Sequence, residues 1–485
     1  MTATRAQPGR GTGRPAVPES VLRLVLLAGP MLSMIDSSVV NVAVPVIVTD
    51  LHTTLATAAW TLSGYLLGLA CGLAASPWLA RRFGTMPAYR AALAGFVLAS
   101  AACAVAPSVG LLIAARVVQG LVGAPMVPLA MGLLLGRDGA ARTMPASAGI
   151  MLFAAPALGP ALGGLLIGAF GWRSVFLVNV PVGLAALAGM WRLRRARGEE
   201  RGDPAARLDV PSLVLLSAGL GLASYGASQG PDRGWLSAGS APAWAGGLAL
   251  IGGYLLWYRR HAARPPRARH PMPAVNLRLL GSPRRALTLA LACVASVVLF
   301  SVLFLAPVYL QDIQHRSTAV TGLVLLPQGV VMGLASWLGS VLIERGRARP
   351  AIIVGSVCGG LALLAVATLG MLLLGASTPL WASAALLCGR GVALGLTVQP
   401  LVMELVGDLP ADQLPDANTL FSITERLSGS FGIALLATYY AQRVRITGFP
   451  VAAFHDCALV LAAASAAGAL AALGLRRGTM GTPPD

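Results

Sequence analysis

The 485-residue chain contains no lysine, so all 36 of its basic residues are arginine. The G-x-x-x-x-G-K-[ST] phosphate cradle cannot be built without that lysine, and nothing in the sequence supports ATP hydrolysis as a source of energy. Charge is scarce, at 11 % of residues, and acids number 18 against the 36 bases. The six cysteines (71, 103, 293, 358, 388 and 457) lie mostly inside apolar runs and show no C-x-x-C spacing. They read as small buried hydrophobes, which argues against disulfides and a thiolate metal site. The five histidines sit in loops or at the ends of apolar runs and form no ligand cluster, so neither metal nor cofactor is expected. No cleavable leader is expected either, because the segment before Val21 is polar and the first apolar run is too long for a signal core.

Apolar sequence is abundant. Hydrophobic residues make up 56 % of the chain and its mean hydropathy is +0.74, far too apolar for a soluble protein of this length. Fourteen apolar stretches recur, at 21–48, 56–76, 87–106, 109–135, 145–169, 173–191, 210–228, 242–258, 286–310, 318–343, 351–374, 379–406, 417–440 and 454–475. At about 17–28 residues each is long enough to cross a hydrocarbon layer of roughly 30 Å. Lipid-exposed backbone must satisfy its own hydrogen bonds, so these stretches read as helices and the chain as an all-α polytopic membrane protein.

Arginine sets the expected orientation. With the N-terminus inside, about 28 arginines fall on the cytoplasmic side, as the positive-inside rule requires. Only Arg173, Arg233, Arg316, Arg443 and Arg445 fall outside. An even number of spans returns the C-terminus to the cytoplasm. The net charge of +18 then reflects topology and contact with anionic headgroups, not nucleic-acid binding. The polar stretches 192–209 and 259–285, rich in Arg and Pro, read as solvated cytoplasmic linkers bracketing spans seven and eight. The resulting organisation is a tail (1–20), a six-helix bundle (21–191), linkers with two inserted helices (192–285), a second six-helix bundle (286–475) and a tail (476–485). Such halves are related by a pseudo-twofold axis along the membrane normal, with substrate bound between them near the midplane.

The run APALGPALGGLLIGAFGWRSVFLVNVP, residues 155–181, is the most informative in the chain. Gly159, Gly163 and Gly164 remove side chains so that a neighbouring backbone can approach, while Pro156 and Pro160 withdraw amide donors and bend the helix. The run resembles the fifth-helix antiporter motif of the major facilitator superfamily. Its continuation resembles the Gly-Trp-Arg…Phe…Asn-x-Pro stretch of that superfamily's 14-span drug:proton antiporter branch. The resemblance implies the major facilitator fold in a bacterial cell membrane, alternating access, and export of bulky amphipathic drugs or antibiotics in exchange for protons. The proton gradient is the implied energy source, the lipid bilayer the surroundings, and the monomer the functional unit.

Ionisable groups inside apolar spans are costly and so are functional candidates. Asp36 lies in MLSMIDSSVVNVAVPVI; burial alone favours a neutral carboxyl, whereas a nearby cation favours the carboxylate. The segment from Ile35 through Asn41 to Pro45 is similar to the family's first-helix motif, whose acid is implicated in coupling. Arg116, Gln119, Gly120 and Gly123 fall at i, i+3, i+4 and i+7, on one helix face. They match the family's fourth-helix pattern, which implies a fixed charge that tunes Asp36. Glu425 beside Arg426 departs from the family pattern in span thirteen, and reads either as a second protonatable site or as a structural ion pair. Arg390 reads as a fixed charge near the pathway or as one member of a packing pair, and Glu404 as interfacial. In the loop between spans two and three, Arg81 stands where the family carries an acid, which puts a charge-assisted cytoplasmic latch in doubt.

Candidate substrate contacts are Asn41, Trp60, Tyr65, Phe300, Phe304, Gln328 and Phe421, since aromatic faces offer loosely directional contact to bulky amphipathic compounds. Uptake or facilitated diffusion of a small nutrient is the alternative, because the same architecture serves it. The Gly/Pro motif and the Asp36–Arg116 combination favour proton-driven export.

Overall fold

A computed structural model describes residues 19–135, 146–197, 202–234, 236–262, 277–345, 349–407, 409 and 413–477. The long helices of the first part are α1 (Glu19–Asp50), α2 (Leu55–Phe83), α3 (Thr85–Ala104), α4 (Val109–Gly123), α5 (Met126–Leu135) and α6 (Ala146–Phe170). A short α7 (Ser174–Leu177) leads into α8 (Asn179–Arg197), followed by α9 (Val210–Arg233) and α10 (Ala241–Ala262). The remainder comprises α11 (Pro283–Val308), α12 (Thr318–Arg345), α13 (Arg349–Leu369), α14 (Leu380–Val406), α15 (Leu414–Thr447) and α16 (Pro450–Ala472). Among the described residues, eleven helices are long and apolar enough to cross a membrane.

The distribution of side chains inverts that of a soluble protein. Leu98, Phe170 and Trp337 are 72 %, 78 % and 63 % exposed, whereas Asp36, Arg116, Gln119 and Arg390 are buried. That arrangement suits a hydrocarbon surrounding, in which polar groups need partners inside the protein.

Two expected spans are each divided. The stretch 109–135 breaks between α4 and α5, where Pro125 has no amide to donate and its ring crowds the preceding turn. The stretch 173–191 breaks between α7 and α8, which brings Asn179 to the first position of α8. Packing between neighbours is tight where glycines recur. Gly64, Gly68 and Gly72, spaced by four along α2, face α4; a Cβ on Gly68 would lie 2.3 Å from the Val117 carbonyl oxygen, and one on Gly120 2.2 Å from that of Tyr65. Backbones therefore touch directly, the arrangement that lets membrane helices gain dispersion contact without a hydrophobic driving force.

At the cytoplasmic side of the proposed orientation, the end of the first linker is seated on the protein and not simply solvated. The Asp203 amide donates to the Arg81 carbonyl at 2.7 Å, the Trp78 indole donates to the Ala206 carbonyl at 3.2 Å, and the Arg82 guanidinium donates to the Pro204 carbonyl. Asp209 then caps α9 by accepting from the Ser212 amide at 3.2 Å. The side chain of Glu404, a residue expected at the interface, is 4 % exposed and paired with Arg284, which ties the start of α11 to the end of α14. On the opposite side, the Asp50 carboxylate accepts from the Trp172 indole at 2.7 Å and from Arg173 at 2.9 Å. The Gly-Trp-Arg turn is thereby anchored to the end of α1.

Candidate functional site

Asp36 lies midway along α1 and is 1 % exposed. An ionised carboxylate at that depth requires donors, and it has three. Arg116 donates to Oδ2 at 2.5 Å; Gln119 and Asn179 donate to Oδ1 at 3.1 and 2.8 Å. Gln119 and Asn179 also donate to the Ser100 hydroxyl, at 2.7 and 3.4 Å. The α-helical spacing of Arg116 and Gln119 points both side chains at α1, and Arg116 Nη1 also donates to Gln119 Oε1 at 2.6 Å. The Nε of Arg116 donates to the Thr61 carbonyl at 3.0 Å. Its guanidinium carbon lies 4.0 Å from the Tyr65 ring centroid and 5.5 Å from that of Phe176, where a desolvated cation gains attraction from the ring face. The Tyr65 hydroxyl is 3.0 Å from the Ser33 hydroxyl. Residues from α1, α2, α3, α4, α7 and α8 thus converge on one charge pair.

The glycine seam of α6 adjoins this pair. A Cβ on Gly159 would fall 1.8 Å from the Ser38 hydroxyl, and one on Gly163 3.1 Å from the Val39 carbonyl oxygen. Ser38 and Val39 are within one turn of Asp36. The opposite edge of α6 meets α12: a Cβ on Gly164 would lie 2.2 Å from the Thr318 carbonyl oxygen, and one on Gly322 2.3 Å from that of Pro160. The Thr318 hydroxyl also donates to the Gly164 carbonyl at 3.2 Å. One helix therefore bears on both the Asp36 turn and the other half of the chain.

Other candidates are placed differently. Tyr65 belongs to the charge cluster, its ring covering Arg116. Asn41 is buried and its amide donates to the carbonyls of Ser37 and Ser38, both at 3.1 Å, on its own helix. Trp60 is half-buried and packs on Tyr225 of α9 with centroids 6.1 Å apart. Phe300 rests against Gly429 of α15, while Phe304 and Phe421 are buried. Gln328 is buried with an Oε1 that lacks a hydrogen-bond partner. Glu425 is half-buried on α15 and enters no ion pair among the described residues. Next to it, Arg426 is also half-buried. About one turn further along α15, Ser430 donates to the Ser63 carbonyl of α2 at 2.8 Å.

Asn179 and Ser100 were not singled out in the sequence. Asn179 is visible there only as the Asn of the Asn-x-Pro stretch. Ser100, one serine in an alanine-rich run, carries no signal.

Comparison with known proteins identifies the family. Residues 26–433 match the Major Facilitator Superfamily. The chain is 34 % identical over 426 residues to a "Multidrug resistance protein B homolog" of Mycobacterium tuberculosis, covering 85 % of this chain and 74 % of that protein. It is 32 % identical over 434 residues to the "Tetracenomycin C resistance and export protein" of Streptomyces glaucescens, covering 87 % and 76 %. A "Methylenomycin A resistance protein" of Streptomyces coelicolor is 30 % identical over 428 residues, covering 87 % and 86 %. Among solved structures, a POT family transporter superposes with a TM-score of 0.66 at 16 % identity over 96 % of this chain and all of that one. A D-xylose-proton symporter gives 0.62 at 14 % identity, over 94 % and 97 %. At such identities these two speak for the fold alone. Sequence match, apolar helices and fold converge: the chain is a multi-pass membrane transporter and belongs to the major facilitator superfamily.

Proposed function

We propose that the protein exports bulky amphipathic drugs or antibiotics from the cytoplasm in exchange for protons, with Asp36 as the proton-carrying group. The observation that carries this reading is the position of the Asp36–Arg116 pair against a helix, α6, whose other edge packs on α12. When Asp36 takes up a proton from the outside it becomes neutral and its attraction to Arg116 is lost. The local fit of α1 against α4 and α6 then changes, and the α6–α12 seam passes that change to the opposite half. Loss of the proton to the cytoplasm restores the pair. The resistance and export names of the relatives support a drug or antibiotic substrate.

The reading includes fourteen spans: α4 with α5 and α7 with α8 each act as one, and every other long helix crosses once. Helices α1–α8 and α11–α16 form the two bundles, α9 and α10 are the inserted pair, and both termini are cytoplasmic. Reporter fusions at residue 200 and at the C-terminus should both report an inside location. An outside signal from either is incompatible with this count.

Everted membrane vesicles from cells that express the protein test the exchange. Adding each of a panel of amphipathic drugs should release protons from vesicles energised acid-inside, and Asp36→Asn should release none while still binding neutral compounds. Proton movement in the same direction as the drug supports uptake by symport, and wild-type rates in Asp36→Asn remove Asp36 from the coupling role.

A further inference from the structure

The contacts of α2 with α4 recur between α12 and α14. Gly120 of α4 abuts the Tyr65 carbonyl, and Gly395 of α14 abuts the Met332 carbonyl. Four residues earlier, Arg116 donates to the Thr61 carbonyl, and Gly391 abuts the Gln328 carbonyl. Five residues later stand Pro125 and Pro400. By this register Arg116 corresponds to Gly391, so Arg390 sits one residue from the equivalent depth in the second half.

The two arginines differ in what surrounds them. Arg116 has a carboxylate, an amide oxygen and a backbone carbonyl. Arg390 is 0 % exposed and makes one hydrogen bond, from Nη2 to the Val298 carbonyl at 3.1 Å, leaving Nε and Nη1 without partners. No carboxylate pairs with it among the described residues, and α11, against which it lies, has no acid between Pro283 and Val308. A permanently charged guanidinium in a low-dielectric interior is costly unless an anion meets it, and its planar fork matches a carboxylate.

We infer that Arg390 is a recognition site for an anionic group, a carboxylate or phenolate, on the transported compound. This deepens the export reading and rests on it. The first half holds its cation against an internal acid that takes the proton, whereas the second half leaves its cation for the acid that the substrate brings. Organic anions are accordingly the preferred substrate class.

The test is equilibrium binding of two xanthene dyes of similar size and opposite charge, carboxyfluorescein and rhodamine 123, to purified protein in nanodiscs. Wild type should bind carboxyfluorescein saturably. Arg390→Gln should weaken that binding by about tenfold or more, the scale of a lost charge-assisted contact, and Arg390→Lys should lie between. Rhodamine 123 should bind Arg390→Gln as well as wild type or better. Thermal unfolding should show Arg390→Gln no less stable, because a cation without an internal partner is being removed. No saturable carboxyfluorescein binding by wild type overturns the inference, as does equal anion affinity in Arg390→Gln. Parallel loss of both dyes overturns it too, by making the effect structural. Anion binding that follows Arg390 in a protein that releases no protons leaves the site standing and defeats the antiport reading instead.

Discussion

Asp36 accepts from α4 through Arg116 and Gln119 and from α8 through Asn179, so three donors from two helices hold its carboxyl group. Removing either charge of a buried pair leaves the other uncompensated, at about 3–5 kcal/mol. Arg116→Ala and Asp36→Asn should each lower thermal stability in detergent. The double variant Asp36→Asn/Arg116→Gln should recover much of that loss without recovering proton-linked transport. A double-mutant cycle on the melting temperature, read beside vesicle proton release, separates the two effects. Asn179→Ala removes one donor to a buried charge, worth about 1–3 kcal/mol, and should slow transport without abolishing it.

Charged residues are what a sequence shows best at this scale. Asp36 and Arg116 stand out because a charge in an apolar run needs a reason, and the i, i+3 spacing already puts Arg116 and Gln119 together. Tyr65 was legible only as an aromatic in a cavity-forming stretch. Its ring lies under a guanidinium from α4, and no local pattern reports a contact between residues 65 and 116. Glu404 reads as interfacial because it is near a helix end; its burial depends on Arg284, 120 positions away in the chain.

At the scale of the element, α6 has two working edges, with Gly159 and Gly163 toward α1 and Gly164 toward α12. Insertion depends on hydropathy and not on the seam, so Gly163→Leu should reach the membrane at normal levels and export poorly. Gly164→Val should do the same through the other edge. Undiminished export by both variants, measured as drug efflux per molecule of protein, would return the seam to generic packing. Sequence pattern exposes the glycines as a close-packing face, but Gly163 and Gly164 are adjacent, and only their rotation about the helix assigns them to different neighbours. Helix breaks are less legible, since Pro125 reads equally as a kink or as a division between α4 and α5.

At the scale of the whole molecule, contacts between the halves include the α6–α12 seam, the crossing of α15 over α2 at Ser430 and Ser63, and the Gln311 amide donating to the Val42 carbonyl of α1 at 3.0 Å. Alternating access requires such contacts to loosen on one side at a time. Spin labels on Phe170→Cys at the end of α6 and Arg316→Cys just before α12, in a background without the native cysteines, report on that seam. On the proposed exchange, their distance distribution should shift between alkaline and acidic buffer. With Asp36→Asn the distribution should hold at the acidic position at both pH values; a pH-dependent shift in that variant places the switch elsewhere.

The seated linker also bears on how this chain tolerates change. Arg81, expected in a loop and standing where the family motif has an acid, lies in the last turn of α2, and that turn is held by the Arg81 carbonyl, the Asp203 amide and the carbonyls of Pro204 and Ala206. Every residue type supplies a carbonyl, so position 81 is free to drift. Position 202 is not, because a Cβ on Gly202 would lie 2.2 Å from the Arg82 carbonyl oxygen. In a saturation library selected for drug resistance, residue 81 should accept most substitutions and residue 202 almost none. That map inverts the one a side-chain latch would leave, with the selective constraint moved from the end of α2 to the linker that lies across it.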